Sequence, residues 1–247
     1  MKTALEELRQ EPCARILCYP RPSKKEISDR LEQLRKLGID AVEFIGGKRF
    51  FNVSVLGKGY VGIVIVAYKN QEKLALKIRR VDADRSEMTR EAKLLQKANF
   101  VDVGPKLIGQ TKDFLLMQFI DGKLLPEWLE SKMSSQRIGR LLRQTLEQCW
   151  RLDMTGLDHG ELSYAPKHII VDKKDRAFIV DFETASIART PSNVTSMCQF
   201  LFISGLGGKV TEKLGRRNCT NIIQALRLYK KVRTRENFQR VLEVCGV

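Results

Sequence analysis

The sequence predicts an α+β protein in which a lobe rich in antiparallel strands precedes a mainly helical lobe. Between residues 41 and 78, short runs of β-branched and aromatic residues alternate with tight polar breaks. From residue 136 onward, apolar residues recur mostly at helical spacing. The chain has 247 residues, which is enough to bury one substantial core or two smaller ones.

Residues 1–40 are predicted to form an accessory helical segment ahead of the two lobes. Ser23 and Glu26 have the spacing of a capping box, and the apolar residues that follow recur on one helix face. Gly38 is a natural end for this helix.

Residues 41–120 are predicted to form the first lobe, an antiparallel sheet with one helix. The expected helix covers residues 82–99, with Met88, Ala92, Leu95 and Ala98 on one side. The predicted strands cover residues 41–45, 50–57, 62–68, 74–78, 105–109 and 114–120.

Residues 121–247 are predicted to form the second lobe. Its first part turns helical after residue 123, and a long helix over residues 136–154 ends at Gly156. A β-hairpin is expected within residues 168–183, and residues 191–247 are expected to be helical.

The composition, 43% hydrophobic and 30% charged, is typical of a folded protein. No apolar run approaches the roughly 20 residues that a membrane-spanning helix needs. The amino terminus is mixed in charge, unlike a secretory signal, and the six cysteines lack C-x-x-C spacing. We therefore expect a cytoplasmic protein with reduced thiols and no membrane partner.

The chain is strongly basic, with a formal net charge of +15. Residues 209–240 contribute ten basic and two acidic residues. Two interpretations stay open for this region: solvated helix faces, or a surface that docks RNA or a ribosomal particle. No aromatic residues interleave the charges in an RNA-reading pattern, so the charge alone does not identify the partner.

A glycine-rich stretch, "VLGKGYVGIVIVAY", suggests a phosphate-binding element. In a dinucleotide-binding fold such glycines open a helix, whereas here they open a Val- and Ile-rich run that predicts a strand. A P-loop is excluded because no Gly-Lys-Ser/Thr triplet follows. The spacing instead resembles the glycine-rich hairpin of protein kinases. That resemblance implies nucleotide contacts from Leu56, Gly57, Lys58, Gly59, Tyr60, Gly62 and Val64.

The next strand resembles the V-A-I-K strand of protein kinases, with Ala75 and Lys77 on its nucleotide side. A lysine there needs a carboxylate to hold its ammonium group, and Glu91 is the candidate. A lysine that snorkels to the surface is the alternative. The run "FLLMQFIDG" resembles a kinase hinge, which implies adenine-site contacts from Met117, Gln118 and Ile120.

Residues 157–183 resemble the kinase catalytic loop, strand pair and metal-binding aspartate. His159-Gly160-Glu161-Leu162 takes the place of H-R-D-L, and Asp181-Phe182-Glu183 takes that of D-F-G. The His-Gly start is similar to RIO-type kinases and to the small kinase of the tRNA-threonylcarbamoylation complex. Across residues 56–183, the motifs resemble those of small atypical Ser/Thr protein kinases of archaea.

The resemblance implies a two-lobed, protein-kinase-like fold with a minimal second lobe that lacks an A-P-E segment. It also implies ATP-dependent transfer of the γ-phosphate to a protein hydroxyl or to the chain itself. Lys77, held by Glu91, would grip the α/β phosphates, Asp181 would bind Mg²⁺, and Glu161 would orient the acceptor. The protein substrate is not identified by any motif.

Three positions depart from the kinase pattern. Glu161 replaces the usual Asp, which lengthens the reach by one methylene. Pro166 stands five residues later, where a metal-binding Asn is usual, and matching the next strand puts His168 in the Asn place. Imidazole is a poor ligand for Mg²⁺ and a better one for Mn²⁺. Glu183 is either a surface acid or a further carboxylate at the metal.

These departures leave other functions open. The same site with water as acceptor would make an ATPase that acts as an assembly factor on RNA or a ribosomal particle. Without chemistry it would be a nucleotide-binding pseudokinase scaffold, and a small-molecule kinase is a further alternative. All the enzymatic alternatives require Lys77 and Asp181 to serve one triphosphate.

Overall fold

The computed structural model of this chain describes residues 2–84 and 88–247. The chain divides into two units, of which unit 1 comprises residues 1–96 and 105–119 and unit 2 comprises residues 97–104 and 120–247. The predicted accessory segment therefore belongs to unit 1. The predicted α+β class is confirmed, with antiparallel sheets and many helices.

The strands and helices of the described residues are numbered in chain order. The strands are β1 (Lys2–Ala4), β2 (Ala41–Glu43), β3 (Lys48–Phe50), β4 (Val53–Val55), β5 (Gly57–Lys58), β6 (Gly62–Lys69), β7 (Glu72–Arg79), β8 (Leu107–Gln110), β9 (Phe114–Gln118), β10 (Gly122–Leu124), β11 (Ile169–Asp172) and β12 (Ala177–Ile179). The helices are α1 (Cys13–Leu17), α2 (Lys24–Lys36), α3 (Thr89–Asn99), α4 (Leu125–Trp128), α5 (Ser135–Met154), α6 (Asn193–Cys198), α7 (Gly207–Leu214), α8 (Cys219–Lys231) and α9 (Arg235–Cys245). A 3₁₀ turn covers Leu5–Arg9 and a π-helical turn covers Gln199–Ile203.

The main sheet of unit 1 is antiparallel, in the order β1-β2-β6-β7-β9-β8, with β5 also paired to β6. Strands β6 and β7 pair over their full length, from Gly62↔Arg79 to Lys69↔Glu72. Asn70 and Gln71 join them with φ values of 49° and 66°, the left-handed backbone of a two-residue hairpin turn. This long hairpin sets the register of the residues that the sequence assigns to nucleotide binding.

Helix α2 forms as the capping pattern predicts. The Ser23 hydroxyl accepts a hydrogen bond from the Glu26 backbone N–H at 3.2 Å. The helix buries Leu31 and Leu34 in one core with sheet residues. It ends just before Gly38, whose φ of +72° is favourable for glycine.

Two local predictions were wrong, and one strand was not predicted. Residues 50–57 do not form one strand, because Phe51 and Asn52 adopt positive φ values and turn the chain into the β3–β4 hairpin. The accessory segment is not wholly helical, since β1 pairs with β2. The strand that was not predicted is β10, whose residues 122–124 satisfy their backbone groups by pairing with β11.

Helix α3 confirms the predicted helix from Thr89 onward. The four apolar residues predicted to line one side, Met88, Ala92, Leu95 and Ala98, are buried. The predicted start of the helix includes residues 85–87, which lie outside the described residues.

Unit 2 contains the predicted long helix, α5, the predicted hairpin β11–β12 and the predicted carboxy-terminal helices. A buried carboxylate, Asp153, links these elements. It accepts hydrogen bonds from the Asn193 side chain at 2.8 Å and the Tyr229 hydroxyl at 2.9 Å. Burial raises the pKa of Asp153.

Across the described residues, every helix falls short of the length or hydrophobicity needed to cross a bilayer.

A buried ionic cluster joins α2 to the sheet of unit 1. The Arg30 guanidinium is fully buried, and its Nη1 donates to the carbonyls of Leu17 and Arg79 at 2.6 Å each. Asp113 accepts from Arg30 Nη2 at 3.3 Å, from Arg79 Nε at 2.7 Å and from Gln33 Nε2 at 2.7 Å. Arg30 Nε also donates to Glu26 Oε1 at 2.8 Å, so Asp113 is the carboxylate that the two buried cations share.

Burial and the neighbouring donors act in opposite directions on the pKa of Asp113. Burial alone would raise the pKa, but the hydrogen bond from Gln33 and the charges of Arg30 and Arg79 leave it below its usual value. Since the folded-state pKa of Asp113 is lowered, its ionised carboxylate stabilises the folded state fully above the unfolded-state pKa. This stabilisation is lost as the pH falls through the folded-state value.

We expect Asp113→Ala to lower the free energy of unfolding by about 3–5 kcal/mol, because two buried guanidinium groups lose the carboxylate that they share. Glu32→Ala is the control, since Glu32 forms an exposed ion pair with Lys36 in α2. Such pairs contribute about 0–1 kcal/mol. Urea unfolding at neutral pH measures both variants. The variant Asp113→Asn should also lose less stability than the wild type below about pH 4. Equal losses for Asp113→Ala and Glu32→Ala would contradict the role of the cluster.

Candidate functional site

The glycine-rich stretch forms a hairpin between β5 and β6. Gly57 pairs with Val64 and Lys58 with Ile63, and the Gly59 N–H donates to the Gly62 carbonyl at 2.8 Å. The glycines therefore open a strand and not a helix, as predicted. Tyr60, at the tip, is 72% exposed.

Gly62 makes room for the side chain of Lys77. A Cβ atom at Gly62 would lie 2.8 Å from the Ile78 carbonyl oxygen and 3.1 Å from Lys77 Cγ. Contacts this short do not occur in folded proteins without movement of the neighbouring strand. A glycine at this position thus allows β6 to run directly beside the lysine.

Lys77 and Glu91 form the ion pair that the sequence suggested. Lys77 Nζ lies 2.8 Å from Glu91 Oε1 and 3.0 Å from Oε2. Lys77 is only 4% exposed, so it does not snorkel to the surface. Strand β7 carries the lysine opposite Val64 of β6, and helix α3 carries the glutamate.

The residues predicted for the adenine site lie on and after β9. Ala75 of β7 is opposite Met117, so these two belong to one part of the sheet. The Gln118 N–H donates to the Lys106 carbonyl at 2.8 Å. A nucleotide contact with the Gln118 backbone would therefore use its carbonyl group. Ile120 begins the chain's return to unit 2.

A second group of candidate residues lies within unit 2. One oxygen or nitrogen atom from each of Glu161, His168 and Asp181 lies within 4.8 Å of the others. The β11–β12 register explains part of this convergence, because His168 precedes β11 and Asp181 follows β12. The Val180 N–H donates to the His168 carbonyl at 2.9 Å, which extends the ladder to these two positions.

Asp181 adopts a left-handed backbone conformation, with φ of +71°. Few residues other than glycine adopt this conformation, although Asp does so more readily than most. Such residues concentrate at functional sites, where the surrounding structure holds them in place. The backbone at Asp181 is thus consistent with a positioned carboxylate.

His168 contacts Glu161 directly. The distance from His168 Nε2 to Glu161 Oε2 is 2.9 Å. The imidazole is 1% exposed, whereas the Glu161 side chain is 39% exposed. Burial lowers the pKa of His168 even though Asp181 and Glu161 both oppose this shift.

His159 supports the loop that carries Glu161. Its ring is buried and its Nε2 lies 3.1 Å from the Val180 carbonyl, so Nε2 donates a hydrogen bond. The ring packs edge-on against His168 and Phe182, with centroids 5.4 Å and 5.1 Å away. Burial lowers the pKa of His159 to about 4. It is a neutral residue that supports the loop and the hairpin.

Arg189 and Asp158 form an ion pair beside the loop that carries Glu161, and the sequence did not predict it. Arg189 Nε donates to Asp158 Oδ2 at 2.8 Å, and its Nη2 donates to the Thr184 carbonyl at 2.7 Å. A Cβ atom at Gly160, where φ is +92°, would lie 2.5 Å from this guanidinium. The arginine thus fills the space beside a required glycine. No spacing signal links residues 31 positions apart.

Comparison with known proteins identifies an archaeal relative. No protein-family model matches the sequence. The chain is 30% identical over 89 residues to the uncharacterized protein MJ1211 of Methanocaldococcus jannaschii. The match covers 74% of that protein and 36% of this chain. The chain belongs to the family of this archaeal protein. The relative's name states no activity, so the chemistry of the site depends on the geometry above.

The donor set in unit 2 fits a magnesium ion held by carboxylates. Glu161 and Asp181 offer oxygen ligands, which Mg²⁺ prefers. The third member, His168, already has its Nε2 atom beside the Glu161 carboxylate. Glu183, the other predicted metal ligand, does not belong to this group.

Proposed function

We propose that this protein is an ATP-dependent phosphotransferase of the atypical Ser/Thr protein kinase kind, with a kinase-like two-lobed fold. In this proposal, unit 1 is the nucleotide-binding lobe and unit 2 is the catalytic lobe. The observation that carries it is the buried Lys77–Glu91 ion pair beside a glycine-rich hairpin. Buried ion pairs add little stability over apolar packing, so a pair in this setting favours a functional role.

Unit 1 would bind the triphosphate through its backbone amides and the charged side chain of Lys77. The backbone amides of residues 57–62 can approach phosphate oxygens closely because three of these residues are glycines. Lys77 would contact the α and β phosphates, with Glu91 restricting its ammonium group to one position. Gly62 keeps the lysine unobstructed.

Unit 2 would hold the metal and the acceptor. Asp181 would bind Mg²⁺, which neutralises charge on the β and γ phosphates when it is bound. Glu161 would accept the proton of a Ser or Thr hydroxyl while the hydroxyl oxygen forms a bond to the γ-phosphorus. The bond from this phosphorus to the β,γ-bridging oxygen breaks, and ADP leaves. Positioning provides most of the catalysis in such reactions.

The test is transfer of label from γ-labelled ATP with Mg²⁺ or Mn²⁺, measured separately on protein and as free phosphate. We expect label on an added protein substrate or on the chain itself. Lys77→Ala and Asp181→Ala should each lower the rate about 100-fold or more, because each removes a charge that stabilises the transition state. Lys93→Ala is the matched control, since Lys93 is exposed on the helix that carries Glu91.

The products separate the alternatives. Free phosphate without labelled protein would replace the kinase with an ATPase assembly factor. ATP binding without either product would indicate a pseudokinase scaffold. A signal that survives both Lys77→Ala and Asp181→Ala would contradict the proposed site.

A second part of the proposal is an RNA partner for helix α8. Arg227, Lys230 and Lys231 are exposed on this helix and have no acidic partner in residues 2–84 and 88–247. Two other cations of the basic region are neutralised, since Lys209 pairs with Glu130 and Arg235 pairs with Glu147. A cluster of unpaired cations on one helix attracts a polyanion. This charge favours RNA as the partner, with no stated sequence preference.

RNA binding should be measured with a fluorescent single-stranded RNA over a range of salt concentrations. We expect affinity that falls steeply with salt, because bound counterions are released. Replacing Arg227, Lys230 and Lys231 with Ala should reduce the log–log slope by about 2. The matched control replaces Lys24, Lys25 and Lys48, which are exposed in unit 1. Binding that does not respond to salt, or equal effects of both triple variants, would contradict this partner.

A further inference from the structure

We infer that His168 is a positioning residue, whose Nε2–H donates a hydrogen bond to Glu161 and holds that carboxylate for the acceptor, and that it is not a metal ligand. The role in transfer rests on the proposed function. The hydrogen bond and the choice of ring proton rest on the geometry of unit 2 alone.

His168 is the fixed member of the pair. Its backbone is anchored at the start of the hairpin, where its carbonyl accepts from the Val180 N–H. Its ring is buried and packs against the edge of His159. Glu161 lies in a loop, is partly exposed and has one more side-chain torsion than an aspartate. A rigid buried donor thus restricts a flexible exposed acceptor.

The surroundings of the two ring nitrogens determine where the proton lies. Nε2 is 2.9 Å from a carboxylate oxygen, which only accepts hydrogen bonds when ionised. Nδ1 is buried and has no hydrogen-bond partner among the described residues. A proton on Nδ1 would be a buried, unsatisfied donor, whereas a proton on Nε2 has an acceptor. The surroundings of the two nitrogens therefore place a proton on Nε2.

This tautomer removes His168 from the metal's ligands. The nitrogen that faces Glu161 has no free electron pair, because it is protonated. To bind a cation there, the ring would have to move its proton to Nδ1, which has no hydrogen-bond partner in the described part of the chain. The group of three thus consists of Asp181, whose carboxylate would bind Mg²⁺, Glu161, whose carboxylate would orient the acceptor, and His168 as a hydrogen-bond donor.

The hydrogen bond connects two departures from the kinase pattern. Glu161 is longer than the usual aspartate, and His168 stands in place of the usual asparagine. A longer acid loses positional accuracy unless a neighbour restricts its torsions, and His168 supplies that restriction. The two departures are the acceptor and the donor of one interaction.

The ring tautomer should be measured by ¹⁵N nuclear magnetic resonance on the untagged full chain at pH 7. The chain has only two histidines, so a spectrum of His168→Gln assigns both rings by difference. We expect His168 to show a protonated Nε2 and an unprotonated Nδ1. A proton on Nδ1 would overturn the inference, whatever the enzymatic activity.

The positioning role is tested by two substitutions in the labelled-ATP assay. His168→Gln keeps an N–H donor near the original position, whereas His168→Leu keeps only the bulk. We expect His168→Leu to lower kcat about 10- to 100-fold while KM for ATP changes less than about threefold. We expect His168→Gln to recover kcat to within about fivefold of the wild type. The half-saturating Mg²⁺ and Mn²⁺ concentrations should stay within about twofold in both variants.

The outcomes are separable. A selective loss of Mn²⁺ affinity in His168→Gln would make His168 a metal ligand and overturn the inference. Equal loss of kcat in both variants would also overturn it, because the donor would then not matter. If the wild type turns over no ATP, the proposed function fails and the positioning role fails with it. The resonance measurement still decides the hydrogen bond in that case, because it requires no turnover of ATP.

Discussion

The buried pair of Lys77 and Glu91 is the interaction on which this account depends. An ammonium group with almost no solvent contact requires a counter-charge at hydrogen-bond distance, and Glu91 supplies two carboxylate oxygens within 3.0 Å. Meeting this requirement fixes the distance between β7 and the start of α3. It also explains Gly62, since any side chain there would collide with the lysine stem or with the strand that carries it. The glycine-rich hairpin, the central strands and α3 therefore all accommodate one cation.

Unit 2 uses burial differently, to lower the pKa of two imidazole rings. His159 and His168 pack edge to face beside the loop that carries Glu161, and burial lowers the pKa of both. His159 Nε2 donates a hydrogen bond to the Val180 carbonyl, and His168 Nε2 lies 2.9 Å from Glu161 Oε2. These two contacts hold the loop that carries Glu161 beside the β11–β12 hairpin.

Local signals in the sequence predicted much of this structure, and non-local contacts account for the rest. The Ser23 cap, the β11–β12 hairpin and the burial of α3 follow from residues close together in the chain, as does the partner of Lys77. The β3–β4 turn was missed because phenylalanine rarely adopts a positive φ, as Phe51 does here. The ion pair of Asp158 and Arg189 joins distant residues, and the contact of Glu161 with His168 depends on side-chain rotamers in a loop. Neither leaves a periodic pattern.

The most direct test is a crystal structure with Mg²⁺ and a non-hydrolysable ATP analogue. We expect one nucleotide with a phosphate oxygen at hydrogen-bond distance from Lys77 Nζ and with its metal held by the Asp181 carboxylate. A nucleotide that contacts only one of these two residues, or that binds elsewhere on the chain, would contradict this expectation.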